Sequence, residues 1–184
     1  MHPVNDSAIG AIRARRATGA IFFAVFGGAW LESWAFGSKR SPMFAMAIGV
    51  LALVLTLAAY FTYRRHAAAL AAEPDTPERQ RARRIFHIVN SGQWVAILIL
   101  ATLLAFCGLN RWIAPMVMGV IGLHFFPLAA VFKNPPHYVT GAAFLALAII
   151  YPQVAPGGPT DAVGFLGAGL ILWASAAWAI RRHE

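Results

Sequence analysis

The chain has 184 residues, 59% of them hydrophobic and 12% charged, with a mean hydropathy of +0.63. A soluble domain carries about 25% charged residues, so this composition argues against one and for a membrane protein. The net charge of +8 invites nucleic acid as a partner. The cations gather at the ends of apolar runs, however, which is how topology is encoded, and nucleic-acid binding is set aside.

In chain order, residues 1–16 read as a short polar arm. A first apolar run covers 17–36 and a second 42–63. The basic start followed by an apolar run mimics a secretory signal, but Arg13 to Arg16 lie far from Met1. The segment therefore reads as an uncleaved span. A long connection, 64–84, follows. Near its end Asp75 suits a helix cap, Pro77 a first-turn position, and Glu78 stands three residues after Asp75. The remaining runs are 85–109, 112–132, 138–154 and 162–180.

A helix needs about 20 mostly apolar residues to cross the hydrocarbon core. In lipid the backbone must satisfy its own hydrogen bonds, so the six runs read as helices. The fold class is thus an all-α integral membrane bundle of six transmembrane helices. Residues 17–184 read as one domain. Short echoes at the helix ends suit three tandem helix hairpins: "HIVNSG" against "HYVTG", and "RRH" at 64–66 against 181–183.

Twelve of the fifteen Lys and Arg residues fall on one side of this topology: Arg13, Arg15, Arg16, Arg64, Arg65, Arg79, Arg81, Arg83, Arg84, Lys133, Arg181 and Arg182. Lys39, Arg40 and Arg111 fall on the other. Basic excess marks the inside, which makes both termini cytoplasmic. The expected partners are the bilayer itself and anionic lipids at the cytoplasmic face. Cys107 is the only cysteine, so an internal disulfide and a four-cysteine metal site are excluded. Small residues at helical spacing mark close helix packing and allow homo-oligomers: Ala45 and Gly49, Gly119 and Gly122, Gly164 and Gly167.

Polar groups at membrane depth are the candidates for function. Glu32 is the only carboxylate inside a run. It lies near the outer end of its helix, where it can reach Lys39, Arg40 or head groups, or serve as an ion or proton site. His87, Asn90, Ser91 and Trp94 follow the i, i+3, i+4, i+7 pattern of one helical stripe, with Gln93 about 60° from the direction of Asn90. His124 lies about 12 Å from the cytoplasmic end of its span, near the depth of Asn90 and Ser91 at about 9–10 Å from theirs. Pro127 has no N–H, so the Leu123 carbonyl loses its helical partner beside His124. His137 and Thr140 open the next helix at a similar level.

Three histidines on three helices lack diagnostic spacing and a carboxylate, so no metal and no cofactor is expected. Ser91 with His87 or His124 lacks an acid to orient the base, which weighs against an enzyme. The reading that fits best is a permease-like or ligand-binding protein with a polar cavity facing the cytoplasm. His87, Asn90, Ser91, Gln93, His124 and His137 are its ligand-binding or proton-relay candidates, and Glu32 is a separate one. The alternatives are an intramembrane enzyme and a structural or assembly protein without a ligand.

The strings "NSGQW" at 90–94, "GLHFFPLA" at 122–129 and "HYVTG" at 137–141 resemble a group of small, uncharacterised bacterial multi-spanning membrane proteins with an "LHFFPLA" motif. The resemblance implies the bacterial inner membrane and brings no catalytic residues.

Overall fold

The computed structural model describes residues 3–181. These residues are helical throughout, with no strand among them: α1 Pro3–Gly37, α2 Pro42–Ala71, α3 Pro77–Phe106, α4 Ile113–Val131, α5 Pro136–Val154 and α6 Val163–Arg181. Single 3-10 turns at Asn110–Trp112 and Gly158–Thr160 precede α4 and α6. Six helices are long and apolar enough to cross a membrane, so the chain is a multi-pass membrane protein. Arg182 and His183, part of one sequence echo, lie outside the described residues.

Three of these helices are longer than their apolar runs. α1 has 35 residues, and α2 and α3 have 30 each. At 1.5 Å per residue they reach about 45–50 Å, against a hydrocarbon core of about 30 Å. Residues 3–16, expected as a polar arm, are therefore the first turns of α1. The connection expected over 64–84 shrinks to the few residues between Ala71 and Pro77. The physical reason lies in the alanines. Ala11 and Ala14 are fully buried, and the Cβ position of Gly10 lies 3.0 Å from the Cβ of Ala69. Two alanine-rich segments with high helix propensity pack together beyond the apolar run and prolong both helices. α3 starts one residue later than the expected cap. Thr76, not Asp75, is its N-cap, accepting from the Arg79 N–H at 3.4 Å, with Pro77 in the first turn.

The described chain gathers into two compact units. Unit 1 contains α1, α2 and α6 from Gly169 onward; unit 2 contains α3 to α5 and the start of α6 up to Ala168. The division falls inside α6 because its small residues serve different partners. Gly164 meets the Tyr151 ring and Gly167 meets Leu147 in unit 2, whereas Gly169 meets Leu31 in unit 1.

In unit 1 a stripe of small residues on α1 is buried: Ala17, Ala20, Ala24, Gly27, Gly28 and Ala35. A Cβ on Gly28 would stand 2.7 Å from that of Ala52 on α2. A Cβ on Gly27 would stand 2.4 Å from Cδ1 of Trp173. The Trp173 indole fills that notch and donates from Nε1 to the Ala24 carbonyl at 3.1 Å. The core here, around Ala20, Ala24, Ala59 and Ala176, is shallow and built on backbone approach.

In unit 2 the loop before α6 is held by one carboxylate. Asp161 accepts from the Val163 N–H and the Gly157 N–H, each at 2.9 Å. Tyr151 donates to the Pro159 carbonyl at 3.0 Å. The backbone donors of Val163 and Gly157 hold the Asp161 carboxyl below the usual carboxylate range. A depressed folded value stabilises the loop at all pH above the ordinary carboxylate range, and that contribution is lost as pH falls through the folded value. Hydrogen exchange at Gly157 and Val163 is therefore expected to accelerate on acidification beyond the intrinsic trend. Asp161→Asn, which keeps the shape but not the charge, is expected to flatten that extra dependence, and an unchanged profile would refute the assignment.

Candidate functional site

His124, Asn134, His137 and Thr140 lie at the end of unit 2 where α4 turns into α5. α4 and α5 meet there at two glycines. A Cβ on Gly122 would lie 3.0 Å from the Gly141 carbonyl, and a Cβ on Gly141 would lie 2.8 Å from the Gly122 carbonyl. Only glycine permits backbones this close, so the two helices are pinned together one turn from His124 and His137. Gly122 was expected at a packing face; its partner Gly141 was not.

The turn between the helices is built from backbone hydrogen bonds. Asn134 N–H donates to the Ala129 carbonyl at 3.0 Å, and His137 N–H donates to the Asn134 carbonyl at 3.0 Å. Lys133 takes a positive φ of 48°, which lets the chain leave α4 before Pro135 and Pro136 open α5. This geometry sets the Asn134 amide 3.1 Å from Nε2 of His137. An amide N–H₂ only donates, so Nε2 accepts and the ring proton sits on Nδ1. Thr140 is buried and donates back to the Pro136 carbonyl at 3.2 Å.

α4 continues through Pro127, so His124 remains on a regular helix. Its Nδ1 is buried and has no hydrogen-bond partner. The Phe125 ring lies 5.7 Å from the His124 ring and 5.6 Å from the His137 ring, and it packs on Phe144 at 6.2 Å. Structure thus brings together His124, His137 and Asn134 around a buried aromatic wall. Sequence reading missed Asn134, although an asparagine two residues before a prolyl helix start is a plain signal for a side chain folded back onto that start.

The third helix contributes less than expected. α3 has no buried residue. Val89, Asn90 and Gln93 are half-buried on its packed face, but His87, Ser91 and Trp94 are exposed. The packed face is thus rotated about one residue from the expected stripe, so His87 and Ser91 turn away from it. The Ser91 hydroxyl makes no pair with either histidine. No group of three His, Cys, Asp or Glu side chains suited to a metal occurs among the described residues.

Unit 2 also carries an open apolar depression. It measures about 320 Å³ and is lined by Leu100, Leu104, Trp112, Pro115, Met116 and Ala148. Its walls are apolar, and they come from the end of α3, the turn and first residues of α4, and Ala148 on α5, far along these helices from His124 and His137.

Glu32 belongs to unit 1 and stands apart from the histidines in sequence and unit. It is half-buried, and its Oε1 lies 3.5 Å from the Cβ position of Gly49 on α2. It makes no ion pair with Lys39 or Arg40. Arg40 instead sits over the Trp34 ring, 5.3 Å from its centroid. Comparison of the chain with known families, curated proteins and solved structures found no match.

Proposed function

We propose that the protein is a small permease-like or ligand-binding membrane protein whose polar site is the imidazole pair His124 and His137. The observation that carries this reading is the buried Nδ1 of His124, which has no partner in a helix otherwise packed on its neighbours. An unsatisfied buried polar atom is costly and rare, and it signals a group that the chain itself does not provide. The neighbouring His137 has its tautomer set by Asn134. A neutral imidazole can accept at one nitrogen and donate at the other, which suits a small polar ligand or a proton passed between the two rings. Neither ring has a carboxylate beside it, and Ser91 is turned outward, which weighs against hydrolytic chemistry.

The cation asymmetry supports both ends in the cytoplasm, with the imidazole pair then in the cytoplasmic half, and the resemblance carried by the "LHFFPLA" string supports a bacterial inner membrane. The test is a thermal-shift screen of the purified chain against small polar metabolites, metal ions and lipids. A stabilising polar compound supports the reading. A chain stabilised by nothing in the panel is a structural or assembly protein instead.

A further inference from the structure

The basic end of unit 1 holds a cation that no described residue answers. α1 and α2 are in close contact there, and Nδ1 of His66 lies 3.6 Å from the Cβ position of Gly10. Three arginines follow on α1. Arg15 is exposed and forms an ion pair with Glu73. Arg13 and Arg16, one turn apart and so on one face, are half-buried. Nη1 of Arg16 is buried with no hydrogen-bond partner, and among the described residues Arg16 makes no ion pair.

A guanidinium carries five N–H donors and stays charged at any physiological pH. Holding one side of it dry and unpaired is expensive unless an anion answers the charge. No acid among the described residues does so, and Glu73 is engaged by Arg15. Arg16 remains partly exposed, so a group from outside the chain can reach its open edge. The next residue, Ala17, begins the apolar run, so Arg16 stands where hydrocarbon gives way to head groups. A planar fork at that level matches the two oxygens of a phosphate.

We propose that Arg16, with Arg13 beside it, binds a phosphate oxyanion at the basic end of α1, and that its boundary position makes the headgroup of an anionic phospholipid the source. This is a built site on one helix face, distinct from a diffuse attraction of all basic residues to the membrane. It does not depend on the histidine site, which lies in the other unit.

The test counts phosphatidylglycerol retained by the full chain in neutral detergent, by native mass spectrometry, with phosphatidylcholine as the reference lipid. Wild type is expected to retain phosphatidylglycerol preferentially. Arg16→Gln is expected to weaken retention about fivefold or more, the scale of one juxtamembrane cation. The exposed Arg65→Gln is expected to change it far less. Should Arg16→Gln fail to fold, Arg16→Lys keeps the charge without the fork and is expected to retain less than wild type. Displacement of the lipid by millimolar inorganic phosphate supports the oxyanion site and assigns its source to a soluble phosphate. Equal losses in Arg16→Gln and Arg65→Gln, retention in Arg16→Lys equal to wild type, or no preference for phosphatidylglycerol would overturn the proposal.

Discussion

Gly141→Leu is expected to destabilise unit 2 by about 3 kcal/mol, the upper range for overpacking a close contact. For a chain of this size that lowers the midpoint of thermal unfolding by on the order of 10 °C. The first added carbon already falls 2.8 Å from the Gly122 carbonyl and 3.0 Å from Cε2 of Phe126, and the carbonyl cannot move away without breaking α4. The remaining carbons must then drive α4 and α5 apart. Gly141→Ala is expected to show a smaller loss in the same direction, and Gly122→Ala a similar one, since its Cβ would stand 3.0 Å from the Gly141 carbonyl. The separation carries a second consequence. His124 and His137 flank this crossing through Phe125, so ligand stabilisation should weaken along with the fold. A leucine variant as stable as wild type would mean that the two helices do not approach through these glycines.

Trp173→Ala is expected to cost unit 1 about 3 kcal/mol, the lower end for removing a tryptophan, since the side chain is only half-buried. Two losses combine. The indole no longer fills the notch at Gly27, and the Nε1 hydrogen bond to the Ala24 carbonyl disappears. In a membrane the second is the smaller, about 0.6 kcal/mol on average, because lipid-exposed polar groups find other partners. Trp173→Phe keeps most of the volume and removes the donor, so it is expected to retain most of the stability. Equilibrium unfolding of the three proteins in the same detergent separates the terms. If the phenylalanine variant is as weak as the alanine variant, the hydrogen bond dominates and the packing argument is wrong.

The spans were legible because hydropathy alone decides them. All six runs became helices, and the fifth ends at Val154, just before Pro156, Gly157 and Gly158. Which face of each helix packs was not legible. Lipid tails are as apolar as leucine, so the hydrophobic pattern that orients a soluble helix carries no such signal here. The polar stripe on α3 shows this: His87 and Ser91 were grouped with Asn90 on geometry, yet packing takes the neighbouring face at Phe86, Val89 and Gln93.

Close packing was half legible. Gly122 and Gly164 were picked out by spacing within one helix, but Gly27, Gly28 and Gly141 act through partners on other helices, which spacing does not reveal. The helical stub over residues 3–16 was missed for a related reason. Its arginines read as an arm, while the signal lay in the buried Ala11 and Ala14 and in Gly10, whose Cβ position meets Ala69. Glu32 shows the limit of proximity in sequence. Arg40 lies near it along the chain but is drawn to Trp34.

The role of the imidazole pair is tested most directly by measuring ligand-induced thermal shifts in wild type, His124→Ala, His137→Ala and the double variant. A compound that stabilises wild type is expected to lose its effect in each single variant, and the double variant is expected to lose no further, because both rings serve one ligand. Full stabilisation retained in both single variants would contradict a site at His124 and His137.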